Sequence, residues 1–251
     1  MVNKSNFSNN LTKKLISILE YKKIHFISKN ELLDIIIKNI DSNNPNRFIK
    51  YLLFQKYLIS IKKDNYIYIP VSSIDRKPVV SEFEINEFYL NSNKYYIGLI
   101  NALNKYGFIT QIPNKLFVFN TKYNLTKKIL DFNIHYIKIN KSNLFGVFKN
   151  KCPFSDIEKT IIDSLNYFKY VDSLDHLIYI FKKNKDKFDE NKLIKYAKKI
   201  NSIKLLKLIG IITENEKLYD YLNKLNKFRY YTKIRNTNLD LRYIKWKIKL
   251  I

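Results

Sequence analysis

One cysteine, one methionine, one tryptophan, four glycines and five prolines are all that the 251 residues contain of these types. The lone Cys152 excludes an intrachain disulfide and a multi-cysteine zinc site, and a reducing cytoplasm is the expected compartment. So few glycines leave little material for a loop that cradles phosphate. No G-x-x-x-x-G-K-[ST], G-x-G-x-x-G or G-x-S-x-G motif occurs, so no cofactor is expected. The opening MVNKSNFSNN lacks the apolar stretch of a signal peptide, and no run approaches the ~18–20 apolar residues that span a bilayer. The expectation is a soluble chain with no membrane partner.

Acid is also scarce, with 22 Asp and Glu against 46 Lys and Arg, a net charge of +24. Five arginines against 41 lysines, with abundant Asn, Ile, Tyr and Phe, match the residue usage of an AT-rich genome, which raises lysine without function. The excess still produces a positive field that attracts polyanions. Residues 1–80 hold 14 cations and 6 anions (+8), residues 81–182 hold 13 and 9 (+4), and residues 183–251 hold 19 and 7 (+12). With 46% hydrophobic residues, this length permits one large or two modest domains, each with its own core.

Residues 11–22 read as a helix, with an apolar stripe of Leu15, Ile16, Ile18 and Leu19. After the extended His25-Phe26-Ile27, Ser28-Lys29-Asn30-Glu31 forms an S-x-x-E capping box that opens a second helix. Asn44 caps a third helix, reaching about Lys56, and Pro45 suits its first position because its φ is fixed and its N–H is missing. Residues 58–62 and 66–70 flank Lys63-Asp64-Asn65 as a hairpin, with Tyr66, Tyr68 and Pro70 on one face and Ile67 and Ile69 on the other. Three helices and a hairpin in this order predict a winged helix-turn-helix over 1–72, followed by a linker at 73–81.

In that architecture the third helix enters the major groove of double-stranded DNA, while cations on the second helix and wing set its register on the phosphates. The groove candidates are Asn46, Arg47 and Lys50; the planar forks of Asn46 and Arg47 match the edges of adenine and guanine. Lys29, Asn30, Lys62 and Lys63 are the phosphate candidates. Phe48, Ile49, Tyr51, Leu52, Leu53 and Phe54 make the third helix apolar almost all round, so some are expected to pack against the following domain or a second subunit.

The second domain is expected over 82–251. Ser92-Asn93-Lys94 caps a helix through about Tyr106, with Gly107 as its left-handed stop. Strands are expected at 108–111, 116–120, 135–139 and 144–148, giving a mixed sheet. Ser155-Asp156-Ile157-Glu158 repeats the capping box at the head of another helix. Helices follow at 173–182, 189–200, 202–212 and 217–225, then basic extended stretches at 228–234 and 243–251. The predicted class is α+β, an N-terminal winged helix-turn-helix followed by a mixed α/β domain with a helical C-terminal part.

Three passages carry a family resemblance. The run Tyr95-Tyr96-Ile97-Gly98-Leu99-Ile100-Asn101-Ala102-Leu103-Asn104-Lys105-Tyr106-Gly107, with Thr110-Gln111-Ile112-Pro113 and Phe117-Val118-Phe119, resembles the start of the second domain of AbiEi-type antitoxins. Ser155-Asp156-Ile157-Glu158-Lys159-Thr160-Ile161-Ile162-Asp163-Ser164-Leu165 is similar to that family's most recognisable helix, and Lys245-Trp246-Lys247 to its ending. Ser164 stands where relatives often carry cysteine, and the DNA-facing residues have no family pattern to match. The resemblance implies a bacterial or archaeal transcriptional regulator in a toxin-antitoxin (viral defence) system. Its first domain would repress its own promoter, as two copies on repeated half-sites, and its second would counteract a nucleotidyltransferase toxin. Relatives also occur as regulators without an evident toxin.

Asp156, Glu158, Lys159 and Asp163 could in principle hold Mg²⁺ in a nuclease. A nuclease E-x-K lies on a strand so that alternate residues share a face, whereas Glu158 and Lys159 are adjacent at a helix start. Helix-start charge and an i,i+4 pair between Lys159 and Asp163 fit better, so no catalytic or metal-binding residue is assigned. His25, His135 and His176 lack metal-ligand spacing. The basic C-terminal region is a solvated lysine face, a further DNA contact through Arg229, Lys233 and Arg235 beside Tyr230 or Tyr231, or a dock for an acidic toxin. The predicted function is a non-enzymatic DNA-binding regulator; the rivals are a protein-interaction module and a metal-dependent nuclease using Asp156 and Glu158.

Overall fold

A computed structural model describes residues 9–40, 42, 44–71, 80–90, 94–148, 152–225, 230, 232–234 and 245–250. Ten α-helices and sheets of three, four and two strands form among the described residues, an α+β protein. The chain divides into two units, Met1–Ser92 and Asn93–Ile251.

The first unit contains α1 (Asn9–Tyr21), β1 (Phe26–Ser28), α2 (Lys29–Asn39), α3 (Pro45–Phe54), β2 (Leu58–Lys62), β3 (Asn65–Tyr68) and α4 (Glu82–Leu90). Its antiparallel sheet has the order β1-β3-β2. The capping box at Ser28 and the Asn44 cap both form as expected. Leu15, Leu19, Leu32, Ile36, Phe48, Ile49 and Leu52 bring the three helices into one core. Each such burial contributes about 1.5–3 kcal/mol. The alternation expected beyond Asn65 is overridden, because β3 lies centrally and Tyr66, Ile67, Tyr68 and Ile69 are all buried.

Helix α4 was not expected, although Ser81-Glu82-Phe83-Glu84 is another S-x-x-E box. Ser81 Oγ accepts from Glu84 N at 3.3 Å, and Glu84 Oε2 accepts from Ser81 N at 2.9 Å. Phe88 packs on Phe26 at 4.9 Å between ring centroids, and Lys62 Nζ donates to the Tyr89 carbonyl at 2.8 Å. These contacts give α4 to the first unit, so the second starts at Asn93 rather than at 82. Most of the expected linker, residues 73–79, lies outside the described residues.

The second unit contains β4 (Tyr95–Ile97), α5 (Leu99–Lys105), β5 (Leu116–Asn120), β6 (Leu125–Ile129), β7 (Phe132–Lys138), α6 (Ile157–Asn166), α7 (Leu174–Lys183), α8 (Glu190–Ile200), α9 (Ile203–Thr213), α10 (Glu216–Asn223), β8 (Thr232–Ile234) and β9 (Ile248–Leu250). The main sheet has the order β4-β5-β7-β6, with β5 and β7 parallel. The helix expected from Ser92 is split: Tyr95–Ile97 pair with β5, and Tyr96 stacks on Phe119 at 4.9 Å, a cross-strand contact that outweighs helical propensity. Ser92 and Asn93 lie outside the described residues, while Gly107 takes the expected left-handed φ of +66°. Residues 108–111 form no strand, because Asn104 Nδ2 takes the carbonyl of Gln111 at 3.0 Å and that of Ile109 at 3.5 Å. Residues 144–148 contribute a single bridge, Val147 to Ser155. Strand β6 was missed because Leu125, Thr126 and Lys128 are exposed along its edge, leaving no apolar alternation to detect.

Helices α7 to α10 match expectation and carry caps at Ser173, Asp189, Ser202 and Asn215. Helix α9 is buried from Leu205 to Thr213. The bare flank of Gly210 admits Trp246, since a Cβ there would collide with the indole ring. Lys207, fully buried, donates to the Tyr230 carbonyl at 2.7 Å, Thr232 Oγ1 at 3.0 Å and the Lys247 carbonyl at 3.2 Å. A lysine and a glycine thus seat the parallel β8–β9 ribbon on α9. Among the described residues, no helix is long and apolar enough to cross a membrane.

Candidate nucleic-acid interface

Local chemistry fixes the start of α3. Asn44 Oδ1 accepts from Arg47 N at 3.0 Å, and Pro45 occupies a position whose N–H would otherwise lack a partner. Phe48, Ile49 and Leu52 turn inward, and Tyr51 and Leu53 pack partly against the same core. Asn46, Arg47 and Lys50 are exposed, so the helix keeps the polar edge that its composition obscures; the apolar ring of Phe54 is also exposed, at 81%. The sequence of α3 contains no acid.

The α2 start and the β2–β3 turn are brought together. Lys29 N donates to the Asp64 carbonyl at 2.8 Å, and Lys29 Nζ lies 3.8 Å from Asp64 Oδ1. Asn30 and Lys63 are exposed beside these two anchored residues in sequence. Glu31, the acid of the capping box, has its pKa held down by hydrogen bonds from the Ser28 backbone and hydroxyl, which keeps its charge within the helix start. Lys62 has another partner: its ammonium reaches the Tyr89 carbonyl and lies 5.6 Å from the centroid of that ring. A register shift between Ser60 and Lys62 accompanies this placement.

No family model matches the chain, and neither does any curated protein. Among solved structures it is similar to the RV2827C protein from Mycobacterium tuberculosis. The TM-score is 0.69 at 10% identity, over 96% of this chain and 91% of that one, a likeness of fold.

The second cluster of charge lies at the start of α6, in the other unit. Asp156, not Ser155, is the cap: its Oδ1 accepts from Lys159 N at 2.8 Å. The expected box fails because the Ser155 hydroxyl pairs with Thr160 Oγ1 at 2.7 Å, while Glu158 turns to α8, accepting from Asp189 N at 3.0 Å. Lys192 bridges Glu158 at 2.6 Å and Asp156 at 3.1 Å, and Tyr196 donates to Asp156 at 2.9 Å. Burial opposes the charge of Lys192, but its bonds to Glu158 and Asp156 hold its pKa above the usual lysine value. The expected i,i+4 pair forms, Lys159 Nζ to Asp163 Oδ1 at 2.6 Å, and both side chains are nearly fully buried. Tyr96 donates to the other Asp163 oxygen at 2.8 Å. Burial raises the Asp163 pKa, opposed by Lys159. These carboxylates face cations and N–H or O–H donors, which is the arrangement of a structural network; among the described residues no three His, Cys, Asp or Glu gather as a metal site. Arg229, Tyr231 and Arg235, considered for further DNA contact, lie outside the described residues, as does the side chain of Lys233.

Proposed function

We propose that the chain is a non-enzymatic, double-stranded-DNA-binding transcriptional regulator of antitoxin type. The exposed, acid-free edge of α3, bearing Asn46, Arg47 and Lys50, carries this reading. The order α1-β1-α2-α3-β2-β3 and the sheet order β1-β3-β2 support a winged helix in which α3 reads the major groove. Lys29, Asn30 and Lys63 contact phosphate; Lys62 instead braces the hairpin against α4. Two copies occupy repeated half-sites upstream of the gene and repress it. The resemblance of the 155–165 helix to AbiEi-type antitoxins supports the second role, neutralising a nucleotidyltransferase toxin through the second unit.

The test is binding of the full chain to its upstream DNA at two salt concentrations. Arg47→Ala is expected to relax preference at one base position, costing about 1–3 kcal/mol of affinity for the preferred site. Lys63→Ala is expected to weaken all sequences alike and to lower the salt slope by about 0.9. Salt-independent binding, or none, sinks the assignment and favours a protein-interaction module, in which exposed Phe54 and Ile37 would be the contacts.

A further inference from the structure

The second unit contains a cavity of about 300 Å³ that neither the DNA-facing edge nor the α6 network uses. Its apolar part is Ile100, Phe108, Ile109, Val171, Leu177 and Ile180, and its polar part is Thr110, Gln111, Asp172 and His176. The walls are fastened. Asn104 holds the carbonyls of Ile109 and Gln111, Lys187 Nζ donates to the Gly107 carbonyl at 2.8 Å, and Phe108 packs edge-on against Phe181 at 5.5 Å. Residues 108–111 therefore form a fixed irregular wall, and a preformed apolar pocket with a few placed polar groups is the usual form of a small-molecule site.

The polar handle is fixed as well. One Asp172 oxygen accepts from Ser173 N at 2.6 Å, and the other lies 2.5 Å from His176 Nδ1. An ionised carboxylate can only accept, so Nδ1 carries the proton that meets it, and the tautomer with its proton on Nδ1 has Nε2 as an acceptor. A closed cavity of about 150 Å³ takes one benzene; this one is open along the exposed Thr110, Gln111, Asp172 and His176, so its volume of about 300 Å³ suits one or two fused rings with the polar edge towards solvent. We propose that this cavity binds a small apolar ring compound carrying one N–H or O–H donor, which His176 accepts. The proposal does not depend on the DNA-binding assignment.

The test is a titration of the full chain, labelled at Ile and Leu methyl groups, with indole and with indene, its isostere lacking N–H. Both are expected to shift Ile100, Ile109, Leu177 and Ile180 saturably, with indole tighter by roughly fivefold, the worth of one hydrogen bond. His176→Ala removes part of the lining for both probes and, with it, the acceptor for indole alone, so it is expected to abolish the roughly fivefold indole preference and bring the two affinities level. Ile180→Trp is expected to abolish both while the remaining methyl spectrum stays native. Absence of saturable shifts at the lining residues overturns the proposal, as do equal affinities in the native chain or an indole preference surviving in His176→Ala. Should Ile180→Trp fail to fold, the native titration and His176→Ala decide.

Discussion

Arg47 and Lys159 occupy the same place in two short helices. Each is the third residue after a cap and gives its backbone N–H to that cap's side chain, Arg47 to Asn44 at 3.0 Å and Lys159 to Asp156 at 2.8 Å. Arg47 nevertheless faces solvent, whereas Lys159 is buried against Asp163 and lies between the rings of Tyr96 and Phe145 at 5.5 and 5.0 Å. Identical local chemistry thus leaves one cation in solvent and locks the other into the architecture. A charged side chain is a binding candidate only once its surroundings are known.

Removing one partner of the buried pair breaks this contrast most sharply. Asp163→Ala is expected to destabilise the second unit by about 3–5 kcal/mol, because it strands the Lys159 charge; Arg47→Ala in the same denaturant series stays within about 0.5 kcal/mol of native. The double change Lys159→Met, Asp163→Leu is expected to recover most of the loss. Equal melting of Asp163→Ala and the native chain contradicts the structural role.

Gly210→Ala probes the ribbon seat. The added methyl displaces Trp246 at a cost of about 1–3 kcal/mol. Since Trp246 is the sole tryptophan, its emission is expected to shift red; an unchanged spectrum contradicts the packing.

Lys62→Ala is expected to cost the first unit about 1 kcal/mol through loss of the Tyr89 bond, whereas Lys63→Ala leaves its stability unchanged. Matching melts would erase the distinction between the bracing lysine and the solvent-facing one.

The ribbon seat also supplies a pH test. Burial, reinforced by Lys247, lowers the Lys207 pKa from 10.5 to about 8. Between those values the unfolded chain carries the extra proton, so native stability gains with rising pH across this window. Comparing Lys207→Met with the native chain across the window isolates the gain. A difference that stays flat or moves the other way contradicts the burial of the charge.

Much of the first unit was legible in its sequence because its devices are local. The Ser28 box, the Asn44–Pro45 start and the Lys63-Asp64 turn each need only four or five neighbouring residues. The same reasoning failed where a distant partner decided the outcome. Tyr95–Ile97 became a strand because Phe119 was available, Ser155 lost its capping role to Asp156, and Lys62 was drawn to Tyr89. The cavity beside His176 left no signal, since α5, residues 108–111 and α7 meet there only after folding.

By itself the sequence determined the positive balance, the caps and turns, the apolar faces of most helices and the i,i+4 spacing that lets Lys159 meet Asp163. These follow from propensity and periodicity, which act over one or two helical turns. Tertiary structure alone decided which cations face water and which are buried, that α4 belongs with the first unit, and that Gly210 and Lys207 seat the final ribbon. Burial and hydrogen-bond pairing depend on segments far apart in the chain, so no local pattern can specify them.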